Sequence, residues 1–173
     1  ALAHHRVDGT HFAAVCFTNL SHDHLDFHGD VESYFEAKAR AFTSAFTDAV
    51  VTNLDDEHGR VLATRARAAG LPLVTYGIHA TDADVRATDV ELHASGTRFV
   101  LHDGIDGTSA PVASRLLGTF NVSNALAAAA TARVASIDAD AIVAGLGADL
   151  VVPGRLEPVA IGQPFTVLVD YAH

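Results

Sequence analysis

The chain has 173 residues, 49% of them hydrophobic, and a formal net charge of -10 at pH 7, a composition that suits one folded domain with a real core and not a disordered segment. The acidic balance excludes nonspecific adhesion to nucleic acid or to an anionic membrane surface, since both require basic patches. No stretch approaches the roughly 18 consecutive apolar residues of a membrane span, the segment from Ala1 carries no basic-then-hydrophobic leader, and the single cysteine, Cys16, allows no internal disulfide and fits a reducing cytoplasm.

In chain order, residues 12–18 form an apolar run ended by the turn-prone Asn19, which predicts a buried strand with Cys16 as a core thiol. From Asp30 the pattern becomes helical: Val31, Tyr34, Phe35, Phe42, Ala45 and Phe46 fall on one face, and Lys38 lies in the gap on that same face. Residues 49–52 read as a strand, 56–69 as a helix closed by Gly70, and 72–76 as another strand. Strand, helix, strand alternation implies a largely parallel sheet covered by helices, an α/β class. Residues 84–93, 97–102 and 109–116 then alternate in polarity, separated by Ser95-Gly96 and the turn cluster from Asp103 to Gly107, as in a small antiparallel meander. Alanine-rich helices are predicted over 120–134 and 139–146, a break at Pro153-Gly154, and a last strand over 165–169 with Asp170 at its end. The sequence starts at Ala1, contains no methionine and stops at His173 just after that strand, and so reads as a piece of something longer.

Lys38 is the only lysine. A lysine on an apolar stripe must snorkel, find a partner or lose its charge, so it is either a snorkelling structural residue or a functional amine; a neutral amine can take up carbon dioxide as a carbamate with two oxygens for a hard metal ion. Upstream, residues 18–29 are dense in histidine and aspartate directly after a strand, where ligand sites of open parallel sheets collect. Their spacing suits either a metal site or a solvated loop.

Thr18-Asn19-Leu20-Ser21, then Asp23-His24-Leu25-Asp26-Phe27-His28-Gly29, then Tyr34-Phe35-Glu36-Ala37-Lys38 together resemble the central-domain signature of the Mur ligase family, in wording nearest to the member that adds the third residue of the peptidoglycan peptide. The resemblance implies a Mur ligase central domain, a mostly parallel sheet with flanking helices plus the antiparallel meander. It implies ATP as co-substrate and Mg2+ as cofactor, with Lys38 carbamylated and Lys38 and His24 as metal ligands. Gly118-Thr119-Phe120-Asn121-Val122-Ser123-Asn124-Ala125 is a second signature. Asn121 suits a helix N-cap, and the resemblance places Asn121 and Asn124 beside the nucleotide, Asn124 against adenine. Pro153-Gly154-Arg155-Leu156-Glu157 and Val167-Leu168-Val169-Asp170-Tyr171-Ala172-His173 resemble the family's hinge and the first strand of its C-terminal domain, so that Arg155 and Asp170 would also contact the nucleotide. Arg6 matches an arginine that contacts the peptide substrate, while His4 stands where some members carry a glutamine.

The implied division is 1–153 for the central ATP-binding domain and 154–173 for the hinge and first C-terminal strand. No G-x-x-x-x-G-K-[ST] loop is present; the family carries it upstream of Ala1, so the piece alone is expected to be inert. The intact parent is expected to be a cytoplasmic ligase that adds diaminopimelate or lysine to UDP-MurNAc-L-Ala-D-Glu through an acyl phosphate, with these small molecules as partners, no nucleic acid and no membrane insertion. Two alternatives remain: another amide ligase of the superfamily, of the folylpolyglutamate or cyanophycin synthetase type, and a noncatalytic nucleotide- or metal-binding module.

Overall fold

A computed structural model describes residues 2–20, 30–148, 152–159 and 161–171. Strands β1 (Val15–Phe17), β2 (Val50–Asn53) and β3 (Leu73–Gly77) pair in parallel. Val50 and Val51 are both fully buried although they point to opposite faces, so β2 is covered on both sides, as a central parallel strand must be. On one face, Phe17 and Val50 pack against Phe35 of α1 (Val31–Ala39) and Leu62 and Ala66 of α2 (Glu57–Ala68). On the other, Val51 and Tyr76 pack against Leu126 of α3 (Thr119–Val134) and Ile142 of α4 (Ala139–Leu146). The result is three layers, helix on sheet on helix.

Strands β4 (Val85–His93), β5 (Gly96–Asp103) and β6 (Thr108–Ser114) pair antiparallel and continue the same six-stranded sheet in the order β1 to β6. β3 and β4 are parallel but meet only at Tyr76↔Val85 and Gly77↔Arg86. The short connection between them therefore has to step sideways by only one strand spacing. Because β4 starts where β3 ends, the antiparallel strands rise past the carboxyl edge of the parallel ones. α3 starts at their far end, where the Thr97 hydroxyl donates to the Leu116 carbonyl at 2.7 Å. It runs back to the level of Asp103, where Arg133 Nε lies 2.8 Å from the Asp103 carboxylate and Nη2 lies 3.1 Å from that of Asp106.

Three expectations change. The helix read as far as Phe46 ends at Ala39, because the Ala41 and Phe42 amides donate three residues back, to Lys38 and Ala39, and turn the chain. That turn still buries Phe42, but it leaves Ala45 exposed and delivers Thr47 to a parallel bridge with Phe12. The first strand is correspondingly shorter than the apolar run, since residues 12–14 contribute only this bridge. The last strand shrinks to β8 (Leu168–Val169), paired with β7 (Glu157–Pro158) in a separate two-stranded sheet, and Phe165 is 66% exposed.

Cys16 is half-buried and hydrogen-bonded with Thr131 and Tyr76; burial pushes its thiol above the ordinary range and outweighs those bonds. A raised pKa keeps the thiol protonated at neutral pH, and the thiolate is the nucleophile. Cys16 in the folded protein should therefore react with a thiol-disulfide reagent at pH 7 at least about tenfold more slowly than in the urea-unfolded chain; equal rates would contradict its placement.

Candidate active site

The carboxyl ends of β1, β2 and β3 lie in register, with Phe17 opposite Thr52 and Asn53 opposite Tyr76. Side chains from the β2 end organise this edge. Asn53 Nδ2 donates to the Thr18 carbonyl at 2.9 Å, and its Oδ1 accepts the Asp55 amide at 2.9 Å. The Asp55 carboxylate accepts the amides of Ile78, His79 and Ala80 at 2.6, 3.0 and 2.8 Å, fixing the turn after β3. Asp56 caps α2 through Oδ1, which accepts from the His58 and Gly59 amides at 2.8 and 3.3 Å, while its Oδ2 accepts from the Leu20 amide at 3.1 Å. None of these three residues was singled out from the sequence. Their signal was Asn53, Asp55 and Asp56, three short side-chain acceptors at the end of a strand, which read equally well as an ordinary helix cap.

Lys38 stands in the last turn of α1, whose start is fixed by the Asp30 carboxylate accepting from the Ser33 amide at 2.7 Å. Phe35 and Ala39 form the buried face of that helix, and Lys38 flanks it, half-buried, with Nζ 4.7 Å from the Tyr34 ring centroid. Among the described residues no carboxylate pairs with it, and its contact there is the weak attraction of a ring face. Arg65 of α2 holds α1 from outside through two bonds to Glu36, at 2.6 and 3.0 Å. His24 lies outside the described residues, and so does its distance from Lys38. Among the described residues no group of three or more histidine, cysteine, aspartate or glutamate side chains could hold a metal; Lys38 is the only member of the expected ligand pair whose surroundings are described.

Arg6 is exposed in the turn after the short 3-10 segment Leu2–His4. Arg40, the C-cap of α1, donates to the Leu2 carbonyl at 3.2 Å and approaches Asp8 at 3.9 Å, so the Arg6 segment is tied to the end of α1 that carries Lys38.

The other four candidates form a second group at the start of α3. Asn121 is not the cap: Gly118 is, at φ +86°, with no side-chain cap bond. A side chain there would also collide with the Phe120 ring, 2.9 Å from where its Cβ would stand. With that position taken, Asn121 is buried in the first turn; its Nδ2 donates back to the Leu117 carbonyl at 2.7 Å, and its Oδ1 accepts from Asn124 Nδ2 at 3.2 Å. Asn124 is exposed. Pairing of β7 with β8 brings Arg155 and Asp170 together: the Leu156 amide donates to Asp170 Oδ2 at 3.2 Å and the Tyr171 amide to the Gly154 carbonyl at 2.6 Å. Both residues are exposed, and Arg155 lines a cavity of about 60 Å³ with Arg115, Leu116 and Glu157. Leu156 reaches Gly118, with its Cδ1 3.6 Å from where a Cβ would stand, which places this pair beside the asparagines. No hydrogen bond or ion pair among the described residues joins Lys38 or Arg6 to this second group.

A three-layer α/β domain whose parallel strands are extended by an antiparallel meander is the architecture of the Mur ligase middle domain, whose profile matches residues 1–132; the chain belongs to that family. Among its relatives, the UDP-N-acetylmuramoyl-L-alanyl-D-glutamate--2,6-diaminopimelate ligases of Streptomyces avermitilis and Geobacter metallireducens are each 44% identical to it, over 174 and 186 residues. Each alignment covers 100% of this chain and 34% of the relative, so the chain spans about a third of the length of the curated relatives it matches. A solved UDP-N-acetylmuramoyl-L-alanyl-D-glutamate--2,6-diaminopimelate ligase superposes with a TM-score of 0.85 at 35% identity, over 100% of this chain and 36% of that one. Folylpolyglutamate synthetase from Lactobacillus casei shares the fold at a TM-score of 0.69 and 21% identity, covering 91% of this chain and 38% of that one.

Proposed function

We propose that the longer protein containing this chain joins diaminopimelate to UDP-MurNAc-L-Ala-D-Glu in an ATP-dependent, amide-forming reaction of peptidoglycan synthesis. The observation that carries this reading is the 44% identity, over the whole chain, to ligases named for that reaction. Folylpolyglutamate synthetase shares only the fold at 21% identity, which favours the peptidoglycan reaction over its relatives in the superfamily.

The chemistry explains why ATP is required. A carboxylate is a poor acyl donor because its oxide leaves badly; phosphorylation of the D-glutamate carboxylate by the γ-phosphate of ATP makes that oxygen a competent leaving group. The diamino acid's amine then attacks the carbonyl carbon, the amide forms, and ADP and phosphate are released. Magnesium, when bound, supplies positive charge against the transferring phosphoryl group. Lys38, as a carbamate, and His24 would be its ligands. The exposed amide of Asn124 offers its oxygen to an adenine amino group, since its nitrogen is already directed at Asn121. Arg155 and Asp170 would face the same nucleotide, Asp170 toward the ribose hydroxyls, and Arg6 the peptide of the acceptor. A cytoplasmic location suits these substrates, and among the described residues no helix is long and apolar enough to cross a membrane.

The test is incubation of the full-length protein with ATP, magnesium and UDP-MurNAc-L-Ala-D-Glu, with either meso-diaminopimelate or L-lysine. Phosphate release and a tripeptide product should appear with diaminopimelate. A protein that binds nucleotide but releases no phosphate with either diamino acid would be a binding module, and the ligase reading would be lost.

A further inference from the structure

We propose that Asn121 is a specificity-determining residue for the base of the nucleotide. Without touching the base, it fixes the direction of the Asn124 amide, so that the site takes a 6-aminopurine and refuses a 6-oxopurine. The inference rests on the nucleotide reading above and deepens it.

An asparagine amide is an ambiguous reader, since a half-turn about its last bond exchanges a donor for an acceptor. Choosing one base over another requires something that settles which half faces outward. Here two hydrogen bonds settle it from the backbone. The Leu117 carbonyl can only accept, so the end of the Asn121 amide that lies 2.7 Å from it must be the nitrogen. The oxygen of that amide then faces Asn124, 3.2 Å away, and takes up the Asn124 nitrogen. What the exposed Asn124 has left to offer is its oxygen. Asn121 lies buried beneath it, in the first turn of α3. The origin of this relay is itself anchored: the Asn121 backbone amide donates to the Gly118 carbonyl at 3.0 Å, and the Thr97 hydroxyl of β5 donates to the Leu116 carbonyl at 2.7 Å. Positions 121 and 124 are three apart and share a helix face. Satisfying the Leu117 carbonyl needs a donor alone; the oxygen half of the Asn121 amide does nothing for that carbonyl and serves Asn124.

An outward oxygen accepts from the amino group of adenine and meets the carbonyl of hypoxanthine acceptor against acceptor. Loss of that bond, with two acceptors left facing each other, costs about 5- to 150-fold in affinity. The test is calorimetric binding of ADP and of inosine diphosphate to the full-length protein. Wild type should prefer ADP by that factor. Asn121→Leu keeps the side-chain volume roughly constant and removes both bonds of the relay. Asn124 is then free to turn its nitrogen outward, so affinity for inosine diphosphate should rise, affinity for ADP should fall, and the preference should largely vanish. Asn121→Ala repeats the measurement with no added bulk. A role confined to steadying the start of α3 would weaken both diphosphates alike and leave their ratio unchanged, and that result would overturn the proposal. Equal binding of ADP and inosine diphosphate by the wild type would overturn it without any variant. A wild type that binds neither diphosphate would instead refute the nucleotide reading itself.

Discussion

Replacing Lys38 by alanine in the full-length protein should lower ligation by about 100- to 1000-fold, the scale seen when one preorganised group that stabilises developing charge is removed. The loss should fall on formation of the acyl phosphate, measured as phosphate exchange or as trapping of the acyl group by hydroxylamine. The fold should survive. Lys38 is half-buried beside the apolar face of α1, and its visible partner is the Tyr34 ring at 4.7 Å, a contact of about 0.5–1 kcal/mol, whereas alanine is the best helix former. A carbamate forms when the neutral amine attacks carbon dioxide, giving N–C bonding, a carboxylate-like anion and a released proton. Formate or acetate can place two oxygens in the space left by alanine, and should restore part of the activity. Near-normal ligation by the alanine variant at saturating magnesium would reduce Lys38 to a snorkelling structural lysine.

The largest loss of stability is expected at Gly59, where alanine should prevent stable folding. Glycine to alanine inside a helix ordinarily stabilises by up to about 1 kcal/mol. Here the added Cβ would stand 1.8 Å from the Asn53 carbonyl oxygen and 3.1 Å from Thr52 Oγ1. Neither neighbour can yield cheaply. Thr52 is fully buried in β2 and its hydroxyl donates to the Gly59 carbonyl at 3.0 Å, while Asn53 holds the chain after β1. α2 would have to lift off the sheet, exposing Leu62, Ala63 and Ala66, which are now at most 1% exposed. The cost should reach about 4 kcal/mol, above the roughly 1–3 kcal/mol usual for an overpacked core, because the clash is with backbone that cannot shift. Urea unfolding of Gly59→Ala beside wild type checks this, and an equal or higher midpoint would mean that α2 does not press on β2 this closely.

Much of this protein was legible from local pattern. α4 falls on the residues its sequence predicts, and β2, β3, α2 and α3 lie within a residue or so of theirs. Asp56 and Gly70 bracket α2 as a capping aspartate and a left-handed glycine at φ +67°. Such signals act between residues a few positions apart, so periodicity and caps carry them. The family, too, was legible, because the histidine-rich loop, the asparagine pair and the final aspartate are written as contiguous words.

What the tertiary structure decided depends on partners far apart in the chain. Apolar spacing carried the first helix on to Phe46, yet it stops at Ala39, because burial of Phe42 needs only a turn and the bridge from Phe12 to Thr47 requires one. Sequence offered Asn121 as a cap, but Gly118 holds that place against the Phe120 ring and Leu156, and the asparagine amide turns back to Leu117. Alternating polarity gave the meander its strands, while the two-residue overlap of β3 and β4 joined it to the parallel sheet and lifted the start of α3 past the carboxyl edge. Asp56 belongs here as well: its cap can be read from the residues that follow it, but its bond to Leu20 spans 36 residues. Only packing of α2 on β2 brings those two groups within reach, and no local propensity encodes that distance.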